Sequence, residues 1–188
     1  MRLRYKSWFY KVIAVLRYGV LRLYYRGRFK CPSMSMIGSN SGVHLINKGK
    51  IRCKDRIIVD DHVMLFSKGL IDIGKRFCIN RYSRIVAHNK IVIGDHVTIG
   101  QMVSILDHDH NYKFNEDGLY LDGYVTDPIY IGNNIWIGDK CTILKGVTIG
   151  DNVVVGANTL VHKDVPSNVI IGGQPFKILK TLASEDIA

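Results

Sequence analysis

The chain has 188 residues, 47% of them hydrophobic, which suits one domain of moderate size with a substantial core. Its net charge of +10 is concentrated at one end: residues 1–30 hold nine Lys or Arg and no Asp or Glu, while the other 158 hold 17 basic and 16 acidic side chains. A nearly neutral body argues against nucleic acid as a partner, because binding a phosphate backbone needs an extended basic surface.

The front of the chain reads as a basic amphipathic helix. Over residues 6–24, a helix places Trp8, Phe9, Val12, Ile13, Val15, Leu16, Val20 and Leu23 on one side. Lys6, Lys11, Arg17 and Arg22 fall on the other, with Tyr10 and Tyr24 among them. This composition suits peripheral contact with an anionic membrane. The alternative is a helix whose apolar face packs on the β body or on a neighbouring subunit. The longest uninterrupted apolar run near the start, residues 12–16, is too short for a signal core or a membrane span. The expected location is therefore the cytoplasm, extending to the inner face of the membrane. Cys31, Cys53, Cys78 and Cys141 are scattered, without metal-ligand spacing, and are expected to be reduced core thiols.

Beyond residue 30 an aliphatic residue recurs every six positions, usually followed by glycine: Ile73-Gly74, Ile93-Gly94, Ile99-Gly100, Ile131-Gly132, Ile137-Gly138, Ile149-Gly150 and Val155-Gly156. A fixed short period is the signature of a solenoid. The physical reading is a triangular prism of short strands. Aliphatic side chains point inward, and glycine with Asp or Asn forms the corners, where positive φ is cheap. Positions 73, 79 and 85 make one turn and 93, 99 and 105 the next, with a two-residue bulge between 85 and 93. His62 and His96 stand where other repeats carry Asn134 and Asn152, and are read as corner residues. Trp136 takes a position held elsewhere by Thr98, Thr148 or Val154 and is expected to face outward, over a subunit contact or a site.

The beat stops after Ile105 and resumes at Ile131. Residues 106–130 are rich in Asp, His, Asn and Tyr and contain Asp107-His108-Asp109-His110. Long excursions from compact domains are often functional. This one is expected to project from the coil. At the other end, Ile171-Gly172-Gly173-Gln174-Pro175-Phe176 stops the hexad pattern and is expected to cap the prism, followed by a short helix or frayed tail over 177–188.

The run from Ile131 to Lys180 carries Ile-Gly-Asn-Asn-Ile-Trp-Ile-Gly, Gly-Val-Thr-Ile-Gly, Lys-Asp-Val-Pro and Gly-Gly-Gln-Pro-Phe-Lys in that order. In this it resembles the left-handed β-helix, hexapeptide-repeat acyltransferases, particularly the maltose/galactoside O-acetyltransferase-like group, over roughly residues 59–182. The resemblance implies a homotrimer with active sites between adjacent prisms and acetyl-CoA as donor. It implies that the histidine before the protruding loop, His108, is the general base, with His110 as the rival. Asp107 or Asp109 would orient the ring. Asn80 matches an acceptor-binding asparagine, its alternative being a corner residue with positive φ, and Trp136 is grouped with the acceptor site. Asp139 and Ala157 fall where backbone groups meet the pantetheine arm, and Lys163, Lys177 and Lys180 where basic side chains meet the phosphates.

Several departures bear on the acceptor. The family's small N-terminal acceptor-binding region is replaced by the basic segment 1–30. His162 replaces a threonine, and Asp109 stands where the sugar enzymes carry proline. The Asp-His-Asp-His form and basic front look like members that O-acetylate surface polysaccharides or their precursors. The sequence thus divides into a basic segment 1–30, a β-helix domain 31–176 with its loop at 106–130, and a tail 177–188. The expected function is acetyl transfer to a hydroxyl of a sugar or glycan, with N-acetylation of an amino sugar or a non-catalytic scaffold as alternatives. No metal is called for. A zinc enzyme on the same coil, of the γ-carbonic anhydrase class, would draw on His88, His108 and His110, but needs two histidines about five residues apart in one turn.

Overall fold

The structure is a computed structural model and describes residues 8–32 and 34–186. One helix, α1 (Trp8–Tyr24), precedes the coil. The first turn comprises β1 (Phe29–Lys30), β2 (Met36–Ile37) and β3 (Gly42–Leu45), and the second β4 (Lys50–Cys53), β5 (Ile57–Val59) and β6 (Met64–Ser67). The third holds β7 (Leu70–Ile73), β8 (Phe77–Ile79) and β9 (Arg84–Ala87), and the fourth β10 (Lys90–Ile93), β11 (Val97–Ile99) and β12 (Ser104–Leu106). A hairpin of β13 (His108–Asn115) and β14 (Gly118–Thr126) interrupts the coil. The fifth turn is β15 (Ile129–Ile131), β16 (Ile135–Ile137) and β17 (Thr142–Ile143), and the sixth β18 (Thr148–Ile149), β19 (Val153–Val155) and β20 (Leu160–Val161). The chain ends with β21 (Val169–Gly172), β22 (Lys177–Thr181) and a 3-10 turn at Ser184–Asp186.

Stacked turns form the three sides of a left-handed parallel β-helix. The first sheet runs β1-β4-β7-β10-β15-β18, the second β2-β5-β8-β11-β16-β19-β21-β22, and the third β3-β6-β9-β12-β17-β20. Two side chains per strand point inward, so Ile91 and Ile93, Val97 and Ile99, and Val103 and Ile105 are all buried. This column of aliphatic side chains is the core, and each turn is stable only because its neighbours bury its inner face.

The corners work differently from the expectation. The positive φ angles fall on His62 (58°), His96 (60°), Asn134 (57°) and Asn152 (56°), which bears out their reading as corner residues. The glycines of the repeat serve another need. A Cβ on Gly94 would stand 2.6 Å from the Gly132 carbonyl oxygen, and one on Gly138 would stand 2.7 Å from the Ala157 amide nitrogen. Glycine is required there by the close approach of one turn to the next.

Both ends of the prism are closed. At the top, β22 pairs antiparallel with β21, and Phe176 is buried against His162. The first part of the tail expected to be helical or frayed, residues 177–181, is thus a strand, because β21 would otherwise leave the edge of the second sheet unpaired. At the base, β1, β2 and β3 have no turn beneath them, and α1 and the residues following it supply hydrogen-bond donors. Arg17 donates to the carbonyls of Ser39 and Ser41, Tyr18 to that of Cys31, Tyr25 to that of Val43 and Arg28 to that of Asn47.

The helix therefore faces the coil with Ala14, Tyr18 and Leu21, followed by Tyr25, and not with the predicted apolar stripe. Packing by that stripe on the β body is corrected for most of it: Trp8, Phe9, Leu16, Val20 and Leu23 are exposed, while Val12, Ile13 and Val15 are half-buried. The tyrosines win the inner face because they carry both an apolar ring and a donor for an edge carbonyl. Lys6 lies outside the described residues. Cysteine pairing is corrected as well. Lys30 pairs with Arg52 across β1 and β4, which brings Cys31 over Cys53, and the two form a disulfide. Cys78 and Cys141 are free thiols.

Candidate active site

The coil leaves its regular path where the third sheet meets the first. Asp107 is the pivot and is wholly buried. Its carboxylate accepts hydrogen bonds from the backbone amides of His88 (2.8 Å), Asn89 (2.8 Å) and Lys90 (2.7 Å), tying the fourth turn to the corner of the third. From this anchor the chain departs as the hairpin, and His108 is its first residue.

His108 stands at the root of the hairpin with its side chain 12% exposed. Its ring stacks on His88, centroids 3.9 Å apart and planes at 7°, while Tyr124 of β14 sets its edge against both rings. Burial is the main reason that the His108 pKa lies below its ordinary value of 6.5, opposed by the Asp107 carboxylate. His88 is lowered to about 4, by burial first and then by its neighbours His108 and Lys68. Both rings are therefore unprotonated at neutral pH. Nδ1 of His108 is buried and without a hydrogen-bond partner, 3.5 Å from an Asp107 oxygen already committed to the amide of His88. Asp107 is thus the aspartate beside the ring. Asp109 instead forms an ion pair with Lys145 at 2.7 Å.

His108 and His88 open onto a groove of about 520 Å3 on the outer face of the third sheet, floored by Met64, Phe66 and Val86 with Arg84 at its side. His110 lines the same groove, exposed on the hairpin, its ring 6.2 Å from that of His108. The parallel planes of His88 and His108 have no common point at which both rings can hold one ion. Were His88 the agent that keeps His108 dry, replacing it with alanine would admit water. The His108 pKa is then expected to rise toward 6.5, as followed by NMR titration of the imidazole. An unchanged midpoint refutes that role.

A second groove, of about 670 Å3, lies on the outer face of the second sheet and is lined by Asn80, His96, Thr98, Gln101, Trp136 and Asp139. Trp136 is 58% exposed and stands in register between Thr98 and Val154, so its outward orientation is borne out. The register continues through Ile170 to Lys180, a straight outward row up this face. Ala157 occupies the same corner as Asp139, one turn above it. The Asp139 carboxylate accepts from the Gln101 amide and its carbonyl from the Asn158 amide, so Asp139 also braces the corner. Lys163 lies over the ring of Phe176, whose neighbour Lys177 opens β22. Lys180 pairs with Asp186 at 2.8 Å.

Asn80 and His108 are not brought together within one chain. Asn80 sits at the corner between the second and third sheets, His108 at the corner between the third and first. Asn80 does not adopt positive φ. Its side-chain amide donates to the Ile99 carbonyl at 2.9 Å, and Tyr82 takes the left-handed conformation at that corner (φ 61°). Sequence reading overlooked the stacking of His88 on His108, although the 20-residue offset between Ile73 and Ile93 predicts that one lies over the other. Tyr124 and Lys68, which packs its ammonium 4.6 Å from the Tyr124 ring, carry no comparable signal, because the hairpin register is set only in three dimensions.

Residues 128–163 match the model of the bacterial transferase hexapeptide (six repeats). That stretch forms the fifth and sixth turns of the coil, so the matched repeat and the observed turns coincide. Over 119 residues this chain is 39% identical to galactoside O-acetyltransferase of Escherichia coli (strain K12), covering 62% of this chain and 56% of that protein. Over 93 residues it is 50% identical to protein CapG of Staphylococcus aureus, covering 49% and 53% respectively. The chain thus spans about half the length of the curated relatives it matches. Among solved structures, the N-acyltransferase AntD from Bacillus cereus, in complex with dTDP and coenzyme A, is similar with a TM-score of 0.73. That match is 18% identical, covers 90% of this chain and 91% of the other, and concerns the fold.

Proposed function

We propose that this protein is an acetyl-CoA-dependent O-acetyltransferase acting on a sugar hydroxyl, in a surface polysaccharide or its precursor. The observation that carries the reading is His108: a largely buried imidazole held below its ordinary pKa at the rim of an open groove, where the coil is interrupted. A hydroxyl is a weak nucleophile until its proton is removed during attack, and an unprotonated imidazole at neutral pH is suited to that task. In the proposed reaction His108 takes the hydroxyl proton as the oxygen bonds to the thioester carbonyl carbon. Collapse of the tetrahedral intermediate breaks the carbon–sulfur bond, and the imidazolium returns its proton to the departing thiolate.

The donor fits the second groove. An exposed indole, a corner of closely stacked backbone at Gly138 and Ala157, and lysines at the upper end of the same face suit a pantetheine arm and a phosphate-bearing nucleotide. Donor groove and base lie on different faces of one prism. The proposed homotrimer joins them by setting the second sheet of one copy beside the third sheet of the next, so that Asn80 and Trp136 face the neighbour's His108. The hairpin supports a second copy as its resting place: Tyr112, Phe114 and Leu121 are exposed on an arm of two strands, which water alone stabilises poorly.

Assay of thiol release from acetyl-CoA across a panel of soluble sugars tests the reading. A base-labile acetyl product identifies an ester, whereas a base-stable one assigns the protein to amino-sugar N-acetylation. No release with any hydroxyl or amine acceptor overturns the enzyme reading.

A further inference from the structure

We infer that the face of α1 turned away from the coil docks on an anionic lipid bilayer. The helix has two apolar sides. One closes the base of the prism through Ala14, Tyr18 and Leu21. Opposite it, Phe9, Leu16, Val20 and Leu23 share one side of the helix, between 64% and 78% exposed. A stripe of this kind on an isolated chain needs a cover.

Two observations select the bilayer as that cover. The first is charge. No acidic residue occurs in residues 1–30, and Lys11 and Arg22, on the Tyr18 side of the helix beyond its coil contacts, are exposed. Where α1 ends, a concavity of about 530 Å3 is lined by Arg22, Leu23, Arg26, Lys30 and Pro32. Three cations around an opening beside apolar side chains suit a phosphate headgroup at the depth where its acyl chains begin. The second is direction. Because α1 lies across the base of the coil, its stripe points along the prism axis, away from the coil. On the side-by-side trimer proposed above, on which this argument rests, the three bases lie at one end and their stripes face the same way. Subunit packing through the sheet faces leaves them uncovered. Three weak contacts on one plane then bind together, since each insertion holds the others near the surface. The substrate class follows: an acceptor attached to lipid would reach the grooves from that surface.

The test is co-sedimentation of the full chain with phosphatidylcholine vesicles, with and without phosphatidylglycerol. Binding is expected to the phosphatidylglycerol vesicles only and to fall with added salt. Leu16→Ser with Leu23→Ser is expected to weaken it by at least about tenfold, and Arg22→Gln or Arg26→Gln, at the concavity, by about fivefold each. Melting temperature and oligomeric state are expected to stay unchanged in these variants. The inference is overturned if the chain remains in the supernatant with phosphatidylglycerol vesicles, or if the double serine variant binds as well as the parent. It is also overturned if that variant dissociates the oligomer, which would make the stripe a subunit contact. Thiol release with a soluble acceptor reports on the grooves separately. A monomeric chain that still binds these vesicles upholds the helix assignment and discards the trimer.

Discussion

Replacing His108 with alanine is expected to lower acetyl transfer by about 10²–10⁴-fold, the range contributed by general base catalysis. Coenzyme A binding and the trimer, as proposed, should persist, because the proposed donor groove uses other residues on another sheet. His110→Ala is the necessary comparison. His110 is exposed on β13, whereas His108 sits behind Tyr124 and His88. A modest loss in His110→Ala beside the large one assigns the base to His108, and the reverse order assigns it to His110. The pH profile adds an independent check. The base acts only when unprotonated, so kcat/KM should fall as pH drops, with its acid limb below pH 6.5, because burial depresses the His108 pKa from that value. A limb above 6.5 would contradict the buried environment of the ring.

The second large effect is structural in origin. Asp107→Ala should destabilise the protein by about 3–5 kcal/mol, since it removes a buried carboxylate and leaves three backbone amides without their acceptor. For a chain of this length that corresponds to a fall in melting temperature of roughly 10 °C or more. Asp107→Asn keeps one acceptor oxygen and should lose less. Asp107 acts on chemistry through position. It fixes the His88 corner and the point where the chain leaves the coil, so the asparagine variant should lower kcat more than it raises KM. A variant with unchanged melting temperature would show that those amides find other partners.

The coil was legible in the sequence because its physics is local and repeated. Each hexad supplies an inward aliphatic residue and a corner, so positions such as Ile93, Ile99 and Ile105 identify one turn without knowledge of the rest. The interruption at 106–130 was legible by the same standard. Its form as the β13–β14 hairpin was not, because His108 pairs with Thr126 across a register that alternation in this polar segment leaves open. The repeat glycines were located correctly but given the wrong reason. Close approach between turns is a property of stacking, and a single hexad contains no sign of it. The helix shows the same limit. Its periodicity revealed an apolar stripe, yet the coil claimed the tyrosine side, because unpaired carbonyls at the base of the prism needed donors.

The site divides along the same line. Sequence pointed to His108, but the stacking of His88 on it was overlooked, although an offset of one turn contains it. It did not reveal that Asp107 is spent on backbone amides, that Asp109 is drawn to Lys145, or that Cys31 meets Cys53. Nor did it reveal that Asn80, matched to the acceptor site, occupies a different corner of the prism from His108. By itself, then, the sequence determined a hexapeptide coil, the point where it is broken, and the charge asymmetry of its front, since period and composition are carried by neighbouring residues. Only the tertiary structure decided which carboxylate holds the corner, which rings keep His108 dry and which face of α1 remains free. Those outcomes depend on groups from separate turns competing for the same partners.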